Sequence, residues 1–227
     1  MKKKIVLAGS GKLANAVLDA LRSFPEWETV AWDAFDRDPG SQAIVIHAGS
    51  GRHLEDIFRF CSLSKSVLVE LSTGTPTESR PLDFPRVICS NTSIAIVKFL
   101  FMLSENGKLF ANSEITIEES HQNSKTSVPG TAVDIARSLN VSPDRISSYR
   151  NREHQKEALG IPEEFLERHA YHRVSIKDGD SLISLETRVL GHKPYADGVI
   201  SIVRAIEKNA LEAKKYEVID FVRAGWI

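Results

Sequence analysis

The sequence predicts an α/β fold in two domains: a doubly wound parallel sheet, then an α+β domain on an open mixed sheet. Three observations predict it. Short, wholly apolar runs alternate with helical spacings in the N-terminal part, strictly alternating polar and apolar runs follow, and the last stretch returns to helical spacing. Strands that alternate with helices are parallel, because parallel neighbours need long crossovers, and continuous apolar strands need cover on both faces.

Ile5-Val6-Leu7-Ala8 reads as the first strand, ended by Gly9-Ser10-Gly11, after which Leu13, Val17, Leu18 and Leu21 recur at helical spacing. Thr29-Val30-Ala31-Trp32, ending at Asp33, is the second strand and Ala43-Ile44-Val45-Ile46 the third. Leu54, Ile57, Phe58 and Cys61 mark a helix, followed by strands at Val67-Leu68-Val69 and Arg86-Val87-Ile88-Cys89. Asn91-Thr92-Ser93 suits the cap of an apolar helix from Ile94 to about Leu109. The domain boundary is placed there, giving a first domain of residues 1–93 with 196–227 and a second of 94–195.

In the second domain, residues 114–118, 174–176 and 182–186 alternate as strands with one wet face. Residues 151–169 are strongly charged and read as an exposed loop with a short helix. Val199, Ile202, Val203 and Ile206 form one helical stripe, and Val218-Ile219-Asp220-Phe221-Val222 is predicted as a last strand rejoining the first domain.

The composition excludes several function classes. A chain of 227 residues with 42% hydrophobic residues buries a real core. Twenty-nine Lys and Arg against 30 Asp and Glu leave a formal charge of -1, with no basic stripe for nucleic acid or an anionic membrane. Cys61 and Cys89 fit a reducing compartment. Only four apolar residues follow Met-Lys-Lys-Lys before Gly9, so no signal or membrane segment is expected, and the cytoplasm is the default location. His53, His154, His169 and His172 have no Cys or carboxylate partners at metal-ligand spacing, so no metal is expected.

Gly9-Ser10-Gly11-Lys12-Leu13-Ala14 has the form G-x-G-x-x-A between a strand and a helix. Glycine permits close backbone approach, and the helix start offers N–H groups and partial positive charge to a diphosphate. Asp33, about twenty residues on, is placed to accept from ribose hydroxyls and to repel a 2'-phosphate, which favours NADH over NADPH. Arg37 blurs that preference, since a guanidinium turned inward takes such a phosphate. A lone G-x-G is usually an ordinary turn, but here strand, turn, helix and acid coincide. His47, at the end of the third strand beside Ala48-Gly49, reads either as a contact to the nicotinamide ribose or as a turn histidine facing solvent.

A second constellation runs from Glu118 to Ala132, a polar loop between a strand and a helix. His121 suits proton donation near neutral pH, and Lys125 adds charge that lowers the histidine pKa and attracts a carboxylate. Gly130 and Thr131 open a helix and offer an anion pocket. Ordinary exposed loop residues and a plain helix cap are the alternative. Two anion sites in one chain fit a cofactor and a small anionic substrate.

The segment resembles the dihydrodipicolinate reductases of lysine biosynthesis, whose motif is close to E-x-H-H-x-x-K-x-D-x-P-S-G-T-A. Glu119, His121, Lys125, Pro129, Gly130, Thr131 and Ala132 match it. Asn91-Thr92-Ser93-Ile94 resembles the family's N-F-S-x-G segment, and Tyr195-Ala196-Asp197-Gly198 its F-A-N-G. The resemblance implies a Rossmann-like domain completed by the C-terminal segment, a four-stranded sheet at a homotetramer interface, and hydride transfer from NADH or NADPH to a cyclic dicarboxylate. It implies that His121 donates the proton, that Lys125 binds a substrate carboxylate and assists protonation, that Gln122 meets the substrate, and that Gly130 and Thr131 hold a carboxylate. Ser72 and Thr73, within the loosely matched Gly-Thr-Thr turn at 71–75, and Asn91 would lie near the cofactor. The sequence departs from the family at Gln122 and Ser127, at His192 where arginine is usual, and in a loop before Gly130 one residue shorter. Those departures leave two competitors: another imine or carbonyl acid as substrate, or a non-catalytic dinucleotide sensor.

Overall fold

Ile5-Val6-Leu7-Ala8 has no polar side chain to turn toward water, and it forms the buried end of strand β1 (Lys3–Ala8). Such strands join β2 (Trp27–Ala31), β3 (Ala43–His47), β4 (Val67–Glu70), β5 (Arg86–Ile88) and β10 (Lys215–Glu217) in one six-stranded sheet of order β10-β5-β4-β3-β1-β2, parallel throughout. The computed structural model describes residues 2–126 and 129–227. Two compact units emerge: the first takes in the chain up to Val97 and again from Tyr195 to Ile227, and the second is Lys98–Pro194.

In the first unit, alternate residues of the sheet serve opposite cores. Ile5, Leu7, Ile44, Ile46, Val69 and Val87 pack with helix α1 (Lys12–Arg22), α6 (Lys193–Lys208) and α7 (Val218–Arg223). Val6, Val45 and Leu68 pack with α2 (Leu54–Ser64), Trp32 and Phe35. The apolar area removed from water on both faces is what holds a parallel sheet together.

The second unit carries a four-stranded sheet of order β7-β6-β8-β9, from β6 (Glu114–His121), β7 (Ile146–Tyr149), β8 (His169–Asp178) and β9 (Ser181–Leu190). β7 runs parallel to β6; the other pairs are antiparallel. Ile115, Ile117, Val174 and Ile176 share one face and pack on helix α4 (Gly130–Ser138) through Ile135, Ala136 and Leu139. Tyr171, of opposite parity, packs instead with Leu159, Ile161 and Leu166 from the charged segment, which holds helix α5 (Arg152–Glu157). The wet-face pattern suits β6 and β8, whereas β9 is exposed along most of both faces.

Three sequence expectations need correction. The run 218–222 is not a strand but α7, and the strand is β10 just before it. Glu217 and Asp220 form a reciprocal capping box, with the Asp220 carboxylate accepting the Glu217 N–H at 2.9 Å, and Val218 and Phe221, three apart, bury one helical face. Helix α3 (Ile94–Asn106) stops before Leu109 and continues as a 3-10 turn over Gly107–Phe110. Gly107 lies so close to the Ser138 carbonyl that no side chain fits. Strand β7 lies in a stretch given no element, because its burial pattern hardly alternates.

Gly198, in α6, is the tightest of the backbone approaches: a Cβ there would collide with the Thr92 carbonyl. Gly198→Ala is expected to lower stability by about 3 kcal/mol, since neither helix nor loop yields without losing its own packing. A urea midpoint unchanged from the parent chain would refute that contact.

Candidate functional site

The first unit forms a pocket of about 350 Å³ at the carboxyl ends of β1, β2 and β3, lined among others by Gly9, Ser10, Gly11, Asp33, His47, Gly49, Arg52 and His53. β1 has β2 on one side and β3 on the other, so the crossovers diverge there and leave a crevice. Gly9 has φ +146 and a Cβ on it would strike the Ala48 carbonyl, while a Cβ on Gly11 would meet nothing within 4 Å. The turn is thus closed on its inner side and open on its outer side. Gly11 caps α1 with no side-chain hydrogen bond, so the first-turn N–H groups, Lys12 and Leu13 among them, face the open side without a side-chain acceptor from the cap. These features fit a dinucleotide diphosphate.

Asp33 lies just beyond β2, in a short 3-10 turn, with its side chain 83% exposed and 3.6 Å from His53 Nε2. Arg37 is not part of the pocket lining and stacks on Trp32, 5.0 Å from the ring centroid. Arg52 and His53 are cationic or ionisable groups that the sequence reading did not place in this pocket. Ser72 stands beside the pocket wall, donating to the Gly49 carbonyl at 2.5 Å and accepting the Gly49 N–H at 3.1 Å. Thr73 is exposed outside the pocket lining, and Asn91 accepts the Ser93 N–H at 2.8 Å ahead of α3.

His47 does not face solvent. It is 1% exposed, and its Nδ1 lies 2.7 Å from Oε1 of the fully buried Glu70.

The second unit brings together groups far apart in sequence. Glu119, fully buried, meets His121 Nδ1 at 2.8 Å through Oε2 and accepts from Arg150 at 2.5 Å through Oε1. An ionised carboxylate only accepts, so His121 Nδ1 carries its hydrogen and Nε2 is the atom that gains or loses a proton. Arg150 also donates to the Lys125 carbonyl at 3.0 Å, tying the lysine's loop to the same pair. Gln155 donates to Ser120 Oγ, at 3.0 Å, and to the His121 carbonyl, at 2.8 Å. The rings of His172 and His169 lie 5.7 and 6.5 Å from that of His121.

Electrostatics follow from this packing. Burial alone would raise the Glu119 pKa, but hydrogen bonds from His121, Arg150 and Ser148 outweigh it and hold the group at about 2. His121 is lowered by burial foremost, with Glu119 pulling it back up and the charges of Lys125 and Arg150 pushing it down. Burial takes His172 down to about 3, helped by the charge of His121. Gly130 opens α4 with Pro129 as a cap that has no side-chain hydrogen bond, and a Cβ on Gly130 would meet nothing within 4 Å. His121, Gln122, Lys125, Gly130 and Thr131 all belong to this unit, while Ser127 lies outside the described residues, as does part of the shortened loop.

Sequence reasoning missed Glu70, Arg150, Gln155 and the grouping of His169 and His172 with His121. One signal was available for His172: it has the parity of Val174 and Ile176 in its strand, which marks the buried face.

A family model described as "Dihydrodipicolinate reductase, C-terminus" matches residues 95–222. The 4-hydroxy-tetrahydrodipicolinate reductase 2, chloroplastic, of Arabidopsis thaliana is 33% identical over 126 residues, 51% of this chain and 36% of that protein. A probable 4-hydroxy-tetrahydrodipicolinate reductase 2, chloroplastic, of Oryza sativa subsp. japonica is 32% identical over the same share of this chain and 39% of its own length. The matched part therefore spans little more than a third of these curated relatives. Among solved structures, a dipicolinate-bound dihydrodipicolinate reductase from Paenisporosarcina sp. TG-14 has the same fold, with TM-score 0.71 at 13% identity over 97% of this chain and 99% of that one. No helix among the described residues is long and apolar enough to cross a membrane.

The buried imidazoles make stability fall with acid. Unfolded, His172 binds a proton below its ordinary value of 6.5; folded, it stays neutral until about 3, so the unfolded state holds more protons in that window and gains as pH drops. At pH 5 this one group costs about 2 kcal/mol, at roughly 1.4 kcal/mol per pH unit. Glu119, normally near 4.5 and held at about 2, adds a further loss below pH 4.5. The urea midpoint is expected to drop between pH 7 and 5, and His172→Phe to flatten the slope; an identical slope in that variant would contradict the assignment.

Proposed function

The chain belongs to the dihydrodipicolinate reductase family, and on that premise we propose that it reduces dihydrodipicolinate (4-hydroxy-tetrahydrodipicolinate) to tetrahydrodipicolinate in lysine and diaminopimelate biosynthesis, with NADH or NADPH as cofactor. The observation that carries the reading is the Arg150–Glu119–His121 arrangement beside Lys125 and the open start of α4. The cofactor supplies the hydride. Gly9, Ser10, Gly11, Lys12 and Leu13 would hold its diphosphate, and Asp33 a ribose, with Ser72, Thr73 and Asn91 toward its other end. Asp33 at the pocket rim and Arg37 turned onto Trp32 support NADH over NADPH.

In the second unit, Lys125, Gln122 and the N–H groups of Gly130 and Thr131 bind the carboxylates of the substrate. His121 Nε2 delivers the proton to the atom left negative by hydride addition, while Glu119 fixes the ring and stabilises its charged form. Gln122, unlike a second histidine, donates a hydrogen bond without charge. A homotetramer built on the four-stranded sheet accords with the exposed Leu182 and Ile183 on β9, and an aqueous reducing compartment such as the cytoplasm with buried, unpaired Cys61 and Cys89.

The direct test is NADH oxidation with freshly generated dihydrodipicolinate. His121→Ala and Lys125→Ala are each expected to lower kcat/KM by about 100-fold or more, in the range of a lost general acid. Rapid turnover by both variants removes the mechanism; no turnover by the parent chain, with NADH still bound, removes the substrate.

The pH profile provides a second check. kcat/KM should fall with rising pH through a pKa below the ordinary 6.5 of His121. Lys125→Ala should move that inflection up and Glu119→Gln should move it down, because the two charges act on His121 with opposite sign.

A further inference from the structure

The Glu70 carboxylate is fully buried, and every contact made to it comes from a hydrogen-bond donor. Oε1 accepts from His47 Nδ1 at 2.7 Å and the Ser72 N–H at 2.9 Å; Oε2 accepts from the Thr75 and Thr77 hydroxyls at 3.2 and 2.8 Å. With Oε1 already accepting the Ser72 N–H, the short contact to His47 is completed by a hydrogen on Nδ1, which leaves Nε2 directed away from the pair. Nε2 is buried and has no hydrogen-bond partner among the described residues, yet His47 lines the pocket that holds the glycine turn. Buried polar atoms are almost always partnered, so an orphan on a residue that lines a pocket calls for a partner, and a ligand group can supply it.

The glycine beside it places no side chain over this nitrogen. A Cβ on Gly49 would sit 3.3 Å from His47 Nε2 and would block a ligand group from reaching it. Gly49 is held in place by its pair of bonds with Ser72, whose own N–H binds Glu70. The one carboxylate therefore orients both the imidazole and the glycine loop beside it.

Strand order says which part of a dinucleotide arrives there. The diphosphate belongs to the turn after β1, and the adenosine ribose to Asp33 just after β2, on one side of β1. The other nucleoside must leave toward the opposite side, over the end of β3, which is His47. Resting on the dinucleotide reading above, we infer that His47, oriented by Glu70, hydrogen-bonds through Nε2 to a hydroxyl of the second ribose, the one distal to adenosine. A hydroxyl both donates and accepts, so it pairs with Nε2 whether or not that nitrogen carries a proton.

The test is calorimetric titration of the full chain with ADP, ADP-ribose and NADH, since ADP lacks the second ribose and ADP-ribose lacks only the nicotinamide. His47→Ala removes the nitrogen, and Gly49→Ala covers it while keeping the imidazole. Both variants are expected to bind ADP within about twofold of the parent, and ADP-ribose and NADH about tenfold more weakly, the scale of one hydrogen bond. Equal affinities for all three ligands, or all three weakened together in both variants, would overturn the contact. A loss for NADH alone would assign Nε2 to the nicotinamide and overturn the ribose. If the parent binds none of the three, the dinucleotide reading itself falls; if the parent binds and the variants match it, only the present inference does.

Discussion

Taking a carboxylate out of water costs several kcal/mol unless donors replace the lost hydration, and each unit of this chain is organised around one such group. Glu70 in the first unit and Glu119 in the second are both fully buried, and each lies against an imidazole Nδ1. The remaining lone pairs differ in their partners. Glu70 is completed by a backbone N–H and two threonine hydroxyls from the segment after β4, which orders that segment. Glu119 is completed by a guanidinium, so its neighbourhood keeps a positive charge that acts on His121. The same demand for satisfaction thus leaves one imidazole beside hydroxyl and amide donors and the other in the field of a guanidinium.

Neither carboxylate would be held without the sheet beneath it. Glu70 is the last residue of β4 and His47 the last of β3, and the parallel register sets them directly opposite. Glu119 and His172 are opposite in the antiparallel pair of β6 and β8, which brings the second histidine against the ring of His121. Register converts one hydrogen-bond ladder into fixed side-chain neighbours, so side chains on adjacent strands meet with little further loss of entropy.

This explains how far the sequence was legible. The parallel sheet and its glycine turn were readable because apolar runs and turn residues are local signals, and the His121 to Ala132 segment because it is one contiguous motif. Arg150, 31 residues from Glu119, and Gln155, 34 residues from His121, belong to β7 and α5 or their borders, and no periodicity connects them to the motif. Glu70 follows the apolar run Val67-Leu68-Val69 and carries no local signal of its own. Its role exists only through the register with His47. The 218–222 run failed differently: its composition is that of a strand, and a reciprocal cap with three-residue spacing of Val218 and Phe221 decided for helix.

On the proposed reading, the charges around His121 also resolve a difficulty for a proton donor whose pKa is lowered in the free protein. Burial, Lys125 and Arg150 all favour the neutral ring, and Glu119 alone among the principal influences opposes them. A dicarboxylate bound at Lys125, as proposed, would cancel the field of the lysine on the ring. Each unit of pKa recovered is about 1.4 kcal/mol of differential interaction, which is within the reach of one charge neutralised in a partly dry site. On that reading the donor would gain its proton as the substrate arrives, and a neutral substrate analogue would leave it unprimed.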